Sequence, residues 1–175
     1  HSHGITIVTG FVDSDPNKKN EDGSIRKFNS ALILHDGDVV GSRNKTALPN
    51  YRYFDDKRYF SEGDSIEAIR IKVGAKEECI GLLVCEEIWD ENDAQKVANQ
   101  MKQDGARLLI CINASPFDLD KGEERQAVIA KHSRETGLPI IYVNACGIGD
   151  NGKNIIIFDG SSRVYDGCGR EIYQA

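Results

Sequence analysis

No stretch of the 175 residues is apolar over the roughly 20 positions that a membrane-spanning helix needs, and no signal-peptide pattern is visible. Basic residues are outnumbered, with 22 Lys and Arg against 28 Asp and Glu and a net charge of -6. No basic patch with interleaved aromatics occurs, which argues against a nucleic-acid surface. The five cysteines, at 79, 85, 111, 146 and 168, cannot all pair and contain no Cys-x-x-Cys spacing. That excludes the common structural zinc patterns and a disulfide framework, and a reducing, cytoplasmic setting is the simplest account. Methionine occurs once, at Met101, so the sequence is not expected to begin at a translation start. Internal repeats, low-complexity tracts and interdomain linkers are also missing, which leaves one domain.

What is present is 39% apolar and 29% charged, enough for a sizeable core in a globular α/β chain. Ile5 to Val12 reads as a strand, ended by Asp13-Ser14-Asp15-Pro16. Asp13, Asp15 and Asn17 start like a calcium loop, but Lys18 stands at the glycine position and Ser24 at the final glutamate, so that reading is rejected. Phe28 to Leu34 and Asp38 to Gly41 flank an Asp36-Gly37 hairpin turn. A long irregular segment from Ser42 to Asp64 holds five of the twelve Phe and Tyr residues. A loop of that length in a compact domain is often functional. Ser65 to Val73, Cys79 to Val84, Ala106 to Asn113 and Leu138 to Ala145 read as strands. Asn92 to Asp104 (Ala94, Val97, Ala98, Met101) has helical spacing, and Lys121 to Thr136 reads as a second helix stopped by Gly137 and Pro139. Asp120 is the expected N-cap of the second helix, with Glu123 three positions on. The remainder reads as short strands joined by Asp-Gly and Asn-Gly turns. Strands and helices alternate in the middle with hairpins at both ends, a layered α/β domain with a mixed sheet.

Several residues are candidates for chemistry. Cys85 closes the apolar run Ile80-Gly81-Leu82-Leu83-Val84, and charge follows at once in Glu86-Glu87. A reactive group belongs at the carboxyl end of such a strand, although a free cysteine is more often a small buried apolar residue. Lys45, in Asn44-Lys45-Thr46-Ala47-Leu48-Pro49, opens the aromatic loop. Loop lysines are mostly solvated charges, but near Cys85 an ammonium would favour the thiolate and face an oxyanion. Glu86 and Glu87 would raise the thiol pKa if they point its way, so a general base is expected to assist. Ser115, after the next strand, either binds substrate or is turn chemistry. Cys146 ends a strand and is the rival nucleophile. Gly147-Ile148-Gly149-Asp150-Asn151-Gly152 spells the dinucleotide fingerprint, but the strand-like Ile155 to Phe158 follows where a helix must open, so a turn is expected.

In sequence order, Asn44-Lys45-Thr46-Ala47-Leu48-Pro49-Asn50-Tyr51-Arg52-Tyr53-Phe54-Asp55-Asp56-Lys57-Arg58-Tyr59-Phe60, Cys85-Glu86-Glu87-Ile88-Trp89, Ala114-Ser115-Pro116-Phe117 with Lys121, and Phe158-Asp159-Gly160-Ser161-Ser162 resemble the nitrilase superfamily of carbon–nitrogen hydrolases. The likeness is to the glutaminase domains of glutamine-dependent NAD synthetases. It implies an α-β-β-α sandwich, of which this chain is expected to be the central part, and a Glu-Lys-Cys triad. Cys85 would attack the carboxamide of L-glutamine to give a thioester and ammonia. Lys45 and the backbone N–H of Glu86 would hold the oxyanion. Tyr51, Ser115 and Lys121 match positions that contact glutamine. The resemblance further implies a homo-oligomeric parent whose separate synthetase domain uses ATP and magnesium. No Ser-Gly-Gly-x-Asp-Ser loop occurs here, so that domain is expected outside this chain. No cofactor or metal is expected within it.

Three features depart from the family pattern. No glutamate precedes Glu21, so the general base is expected upstream of residue 1. Asp56 stands where the family has glutamate, one methylene shorter. The loop from Gly147 to Asn154 is longer than usual. Three other readings stay open: an amidohydrolase of the same superfamily with another amide or nitrile substrate, a non-catalytic module of the same fold, and a nucleotide-binding domain.

Overall fold

The computed structural model describes residues 3–52, 54–91 and 96–175. Tyr53 and the first part of the expected helix, including Ala94, lie outside the described residues. The chain opens with an antiparallel meander of β1 (Thr6–Lys19), β2 (Ile25–His35) and β3 (Asp38–Asn44). Asp36 (φ 51) and Gly37 (φ 94) make the tight turn between β2 and β3 in the left-handed conformation that suits Asp-Gly. The expected end of β1 at Asp13–Pro16 is corrected: the strand runs on to Lys19. Its register against β2 shifts between Asp15 and Lys19, and Pro16 sits within that shift. β1 is an edge strand of its sheet. A proline is tolerated in such a place because no ladder hydrogen bond is lost there.

The rest of the chain builds a mixed sheet in the order β11-β10-β7-β6-β5-β4. Its members are β4 (Ile69–Val73), β5 (Lys76–Val84), β6 (Leu108–Asn113), β7 (Ile140–Asn144), β10 (Arg163–Tyr165) and β11 (Glu171–Gln174). β5, β6 and β7 are parallel, whereas β4 and β10 pair antiparallel on either side. The near-continuous apolar runs of β5 and β6 are what a parallel strand covered on both faces requires. β8 (Cys146–Asp150) and β9 (Ile155–Asp159) form a separate hairpin. The glycine-rich run therefore turns a hairpin and opens no helix, as its strand-like sequel predicts.

One helical turn, α1 (Asp56–Tyr59), interrupts the aromatic loop. Helix α2 spans Val97–Gln103 and buries Val97, Ala98 and Met101. Helix α3 covers Lys121–Thr136, the expected range, and ends on left-handed Gly137. Asp120 does not cap it: the backbone there is already near-helical (φ -99, ψ -7) and the side chain makes no capping bond.

Alternation within β5 divides the core. Leu83, Leu109, Cys111, Ile140 and Tyr142 pack against Val97, Met101 and Ile129 of the helices. Leu82, Val84, Ile80 and Ile110 face the other way, onto Ala31 and Ile33 of the three-stranded sheet. The result is helices, sheet, sheet. These are three of the four layers of an α-β-β-α sandwich, and among the described residues no helix covers the outer face of the three-stranded sheet. No described helix is long and apolar enough to cross a membrane. In register, Val84 pairs with Ile112, so β5 and β6 end side by side and deliver their following residues to one crevice.

Candidate active site

β5 ends at Val84, as expected, and Cys85 begins a 3-10 turn that runs to Ile88. The φ of Cys85 is +48. Left-handed backbone is uncommon at a residue with a side chain and concentrates at functional sites, where surrounding contacts hold it. The turn sets Cys85 in the wall of a crevice of about 490 Å³, together with Lys45, Asp56, Asn113, Ala114 and Lys153.

Glu87 holds this turn in place. It is fully buried, and its carboxylate accepts two hydrogen bonds from the Arg43 guanidinium at 2.6 and 2.7 Å. It also accepts the Thr46 N–H and hydroxyl, both at 2.8 Å, and the Val84 N–H at 2.8 Å. Burial opposes its ionisation, but Arg43 and these N–H groups outweigh it and hold the carboxyl below its usual range. Glu87 was expected to oppose ionisation of the thiol. The structure corrects this, because its charge is spent on Arg43, and the effect of Glu87 on Cys85 is positional. One carboxylate ties the end of β5 to the chain on either side of Lys45.

Lys45 is 2% exposed, and its ammonium donates to Asp56 Oδ2 at 2.7 Å. The shorter Asp56 thus reaches the lysine. Gly63 N–H donates to the Lys45 carbonyl at 2.8 Å, and a Cβ on Gly63 would lie 2.5 Å from the Asn44 carbonyl oxygen, so only glycine lets the loop close here. The Cys85 thiol is pushed up from its ordinary value chiefly by burial. Lys45 and a hydrogen bond from the Ala114 N–H pull it down, while Glu86 and Asp56 add to the rise. The resting group is therefore a thiol with one cation beside it.

The other residues singled out in the sequence are placed as follows. Tyr51 donates its hydroxyl to the Glu86 carboxylate at 2.8 and 3.0 Å, and both line an adjacent depression that shares Pro49 with the crevice. Ser115 is buried beneath the crevice: its N–H donates to Asn144 Oδ1 at 2.8 Å, and its hydroxyl accepts from Arg125 at 3.4 Å. Lys121 sits with its ammonium 4.1 Å from the centre of the Trp89 ring. Neither Ser115 nor Lys121 is part of the crevice wall, and Cys146 is exposed on β8 and also absent from it. Among the described residues no His, Cys, Asp and Glu cluster could hold a metal ion.

Sequence reasoning missed Arg43, the Arg125–Asp159 pair at 2.9 Å that braces Asn144 and Ser115, and the pairing of Lys153 with Asp55 across the crevice mouth. Arg43 stands between Ser42 and Asn44 at the polar end of β3, so nothing local marks it as buried. Lys153 lies 98 positions from Asp55, and nothing local announces that contact.

The sequence family described as carbon-nitrogen hydrolase matches residues 1–175. The chain belongs to the carbon–nitrogen hydrolase family. Among characterised relatives, the glutamine-dependent NAD(+) synthetase of Xylella fastidiosa is 38% identical over 170 residues, which is 97% of this chain and 28% of that protein. Among solved structures, the glutamine-dependent NAD+ synthetase of Acinetobacter baumannii superposes with a TM-score of 0.78 at 34% identity, covering 98% of this chain and 29% of that one. A carbon-nitrogen hydrolase from Helicobacter pylori G27 superposes at 0.80 with 27% identity, covering 98% and 58%. The chain thus spans a little over a quarter of the length of the synthetases that it resembles, and aligns with their carbon–nitrogen hydrolase region.

Proposed function

We propose that this carbon–nitrogen hydrolase region acts as a glutaminase, with Cys85 as its nucleophile. The observation that carries the reading is the meeting of a strained, strand-end thiol and a buried ammonium, 40 residues apart in sequence, in one crevice. The thiol sulfur attacks the side-chain carboxamide carbon of glutamine, and the carbonyl oxygen gathers negative charge. Lys45 and the Glu86 N–H stabilise that charge. The C–N bond then breaks, the thiol proton reaches the nitrogen through a base, and ammonia leaves a thioester. Water attacks the thioester, releasing glutamate and restoring the thiol. Since the Cys85 thiol is raised, attack requires that base. The family likeness puts a glutamate in this role, and no glutamate precedes Glu21 here to match it. By the same likeness the ammonia passes to an ATP- and magnesium-dependent synthetase domain of the same polypeptide, with Tyr51, Ser115 and Lys121 ordering around bound glutamine.

The test measures ammonia release by the full-length protein from glutamine, asparagine and propionamide, for wild type and Cys85→Ala. Glutamine is expected to be preferred, and the variant to lose about 1,000-fold or more, as nucleophile deletions do. Preference for another amide would assign the same chemistry to a different substrate. Undiminished turnover in Cys85→Ala would refute the role of Cys85.

A further inference from the structure

The crevice wall carries two cations among the described residues, Lys45 and Lys153. Lys45 is buried and committed to Asp56. Lys153 stands at the tip of the β8–β9 hairpin, and its ammonium meets Asp55, which also lines the crevice. Their side chains are 55% and 38% exposed, so both remain open to a ligand. An exposed pair of this kind adds little stability, and little is lost when it opens. The hairpin tip is itself well held. Asn151 Oδ1 accepts the N–H groups of Lys153 and Asn154 at 3.0 and 2.8 Å, and Asp150 Oδ1 accepts that of Gly152 at 2.7 Å. Lys121, which the family likeness places near glutamine, lies against Trp89 outside this crevice wall.

We propose that Lys153 and Asp55 form a specificity clamp that exchanges their mutual ion pair for the α-carboxylate and α-ammonium of an amino-acid substrate whose side-chain amide reaches Cys85. The inference rests on Cys85 being the nucleophile and extends that reading to the substrate's head group. Two opposite charges in contact at a crevice mouth complement a zwitterion: each trades one partner for another of the same sign, and no charge is left uncompensated. Asp55 is held below the ordinary carboxylate range chiefly by its hydrogen bond with Lys153, so it is ionised at neutral pH.

Three chloroketones that alkylate thiols separate the contributions in the full-length protein: 2-amino-5-chloro-4-oxopentanoate, 5-chloro-4-oxopentanoate, which lacks the ammonium, and chloroacetone, which lacks both charges. The rate of labelling at Cys85 is followed by mass spectrometry. Lys153→Ala is expected to slow both carboxylate-bearing reagents about tenfold or more relative to chloroacetone, the scale of a lost charged hydrogen bond, and Lys153→Arg to restore most of that ratio. Asp55→Asn is expected to slow the amino reagent relative to the other two. Equal slowing of all three reagents, or unchanged ratios, would overturn the clamp while leaving Cys85 as nucleophile. Labelling of a cysteine other than Cys85 would overturn the functional reading itself.

Discussion

Cys85 and Lys45 illustrate how a residue's chemistry is set by position. The thiol is raised by burial and lowered by Lys45, so the thiolate fraction at neutral pH is small and grows as pH climbs. Alkylation of Cys85 in this chain by neutral iodoacetamide should keep accelerating beyond pH about 8.5, the ordinary cysteine value. Lys45→Ala removes a stabiliser of the thiolate and should move that midpoint further up; a plateau below pH 8 would contradict the burial argument. In the full-length protein the same substitution should lower glutamine turnover by about 100-fold or more, as the loss of an oxyanion donor does. Unchanged turnover would make Lys45 a structural partner of Asp56 alone. Both residues could be picked out in the sequence because each follows a strand, β3 or β5, and because the surrounding motifs resemble those of one family. Glu87 was legible as a residue and misread as a role. Proximity to Cys85 along the chain suggested repulsion, while its true partner, Arg43, is 44 positions away in the facing sheet.

At the scale of elements, the Arg43–Glu87 pair joins the end of β5 to the end of β3. Neither partner is more than 6% exposed, so removing one charge leaves the other buried without compensation. Glu87→Gln should cost about 3–5 kcal/mol in urea unfolding, the usual penalty for breaking a buried pair. The folded carboxyl is held low, so its contribution is present above the unfolded glutamate value of about 4.3 and is lost as pH falls through the folded value. The stability gap between wild type and Glu87→Gln should therefore shrink on acidification below pH about 4. A gap that is absent at pH 7 would show that the pair is dispensable. Apolar runs located β6 and β7 well, whereas α3, which buries Arg125, Ile129, His132, Ser133 and Thr136, was located by the stop signals Gly137 and Pro139. Local pattern failed for β1, where Asp13–Pro16 reads as a terminator. Pairing with β2 and the tolerance of an edge strand for proline override that local signal.

For the whole molecule, the crevice is assembled from both sheets and from the β8–β9 hairpin, so its shape was not written in any one segment. The fold class could be read from the alternation of elements, but the docking of Lys153 on Asp55 could not. The 175 residues place the proposed nucleophile beside a cation, and no glutamate precedes Glu21 to match the family's base. General-base assistance is typically worth about 100- to 10,000-fold. This chain alone should therefore hydrolyse glutamine negligibly, and the full-length protein should recover activity. Turnover by the isolated chain equal to that of the full-length protein would show that the base lies within these residues. Ile5, Ile7, Val12, Ile172 and Tyr173 are exposed on β1, β11 or the chain next to them, strands at the edges of the two main sheets. Edge strands of that kind favour association, so the isolated chain should also sediment increasingly heavily as its concentration rises.

The most direct test of the central claim is to acid-quench the full-length protein during glutamine turnover, digest it, and locate the acyl group by mass spectrometry. A glutamyl thioester on the peptide containing Cys85, absent from Cys85→Ala, is the predicted result. The acyl group on Cys146, or steady glutamate formation with no acylated cysteine at any quench time, would contradict it.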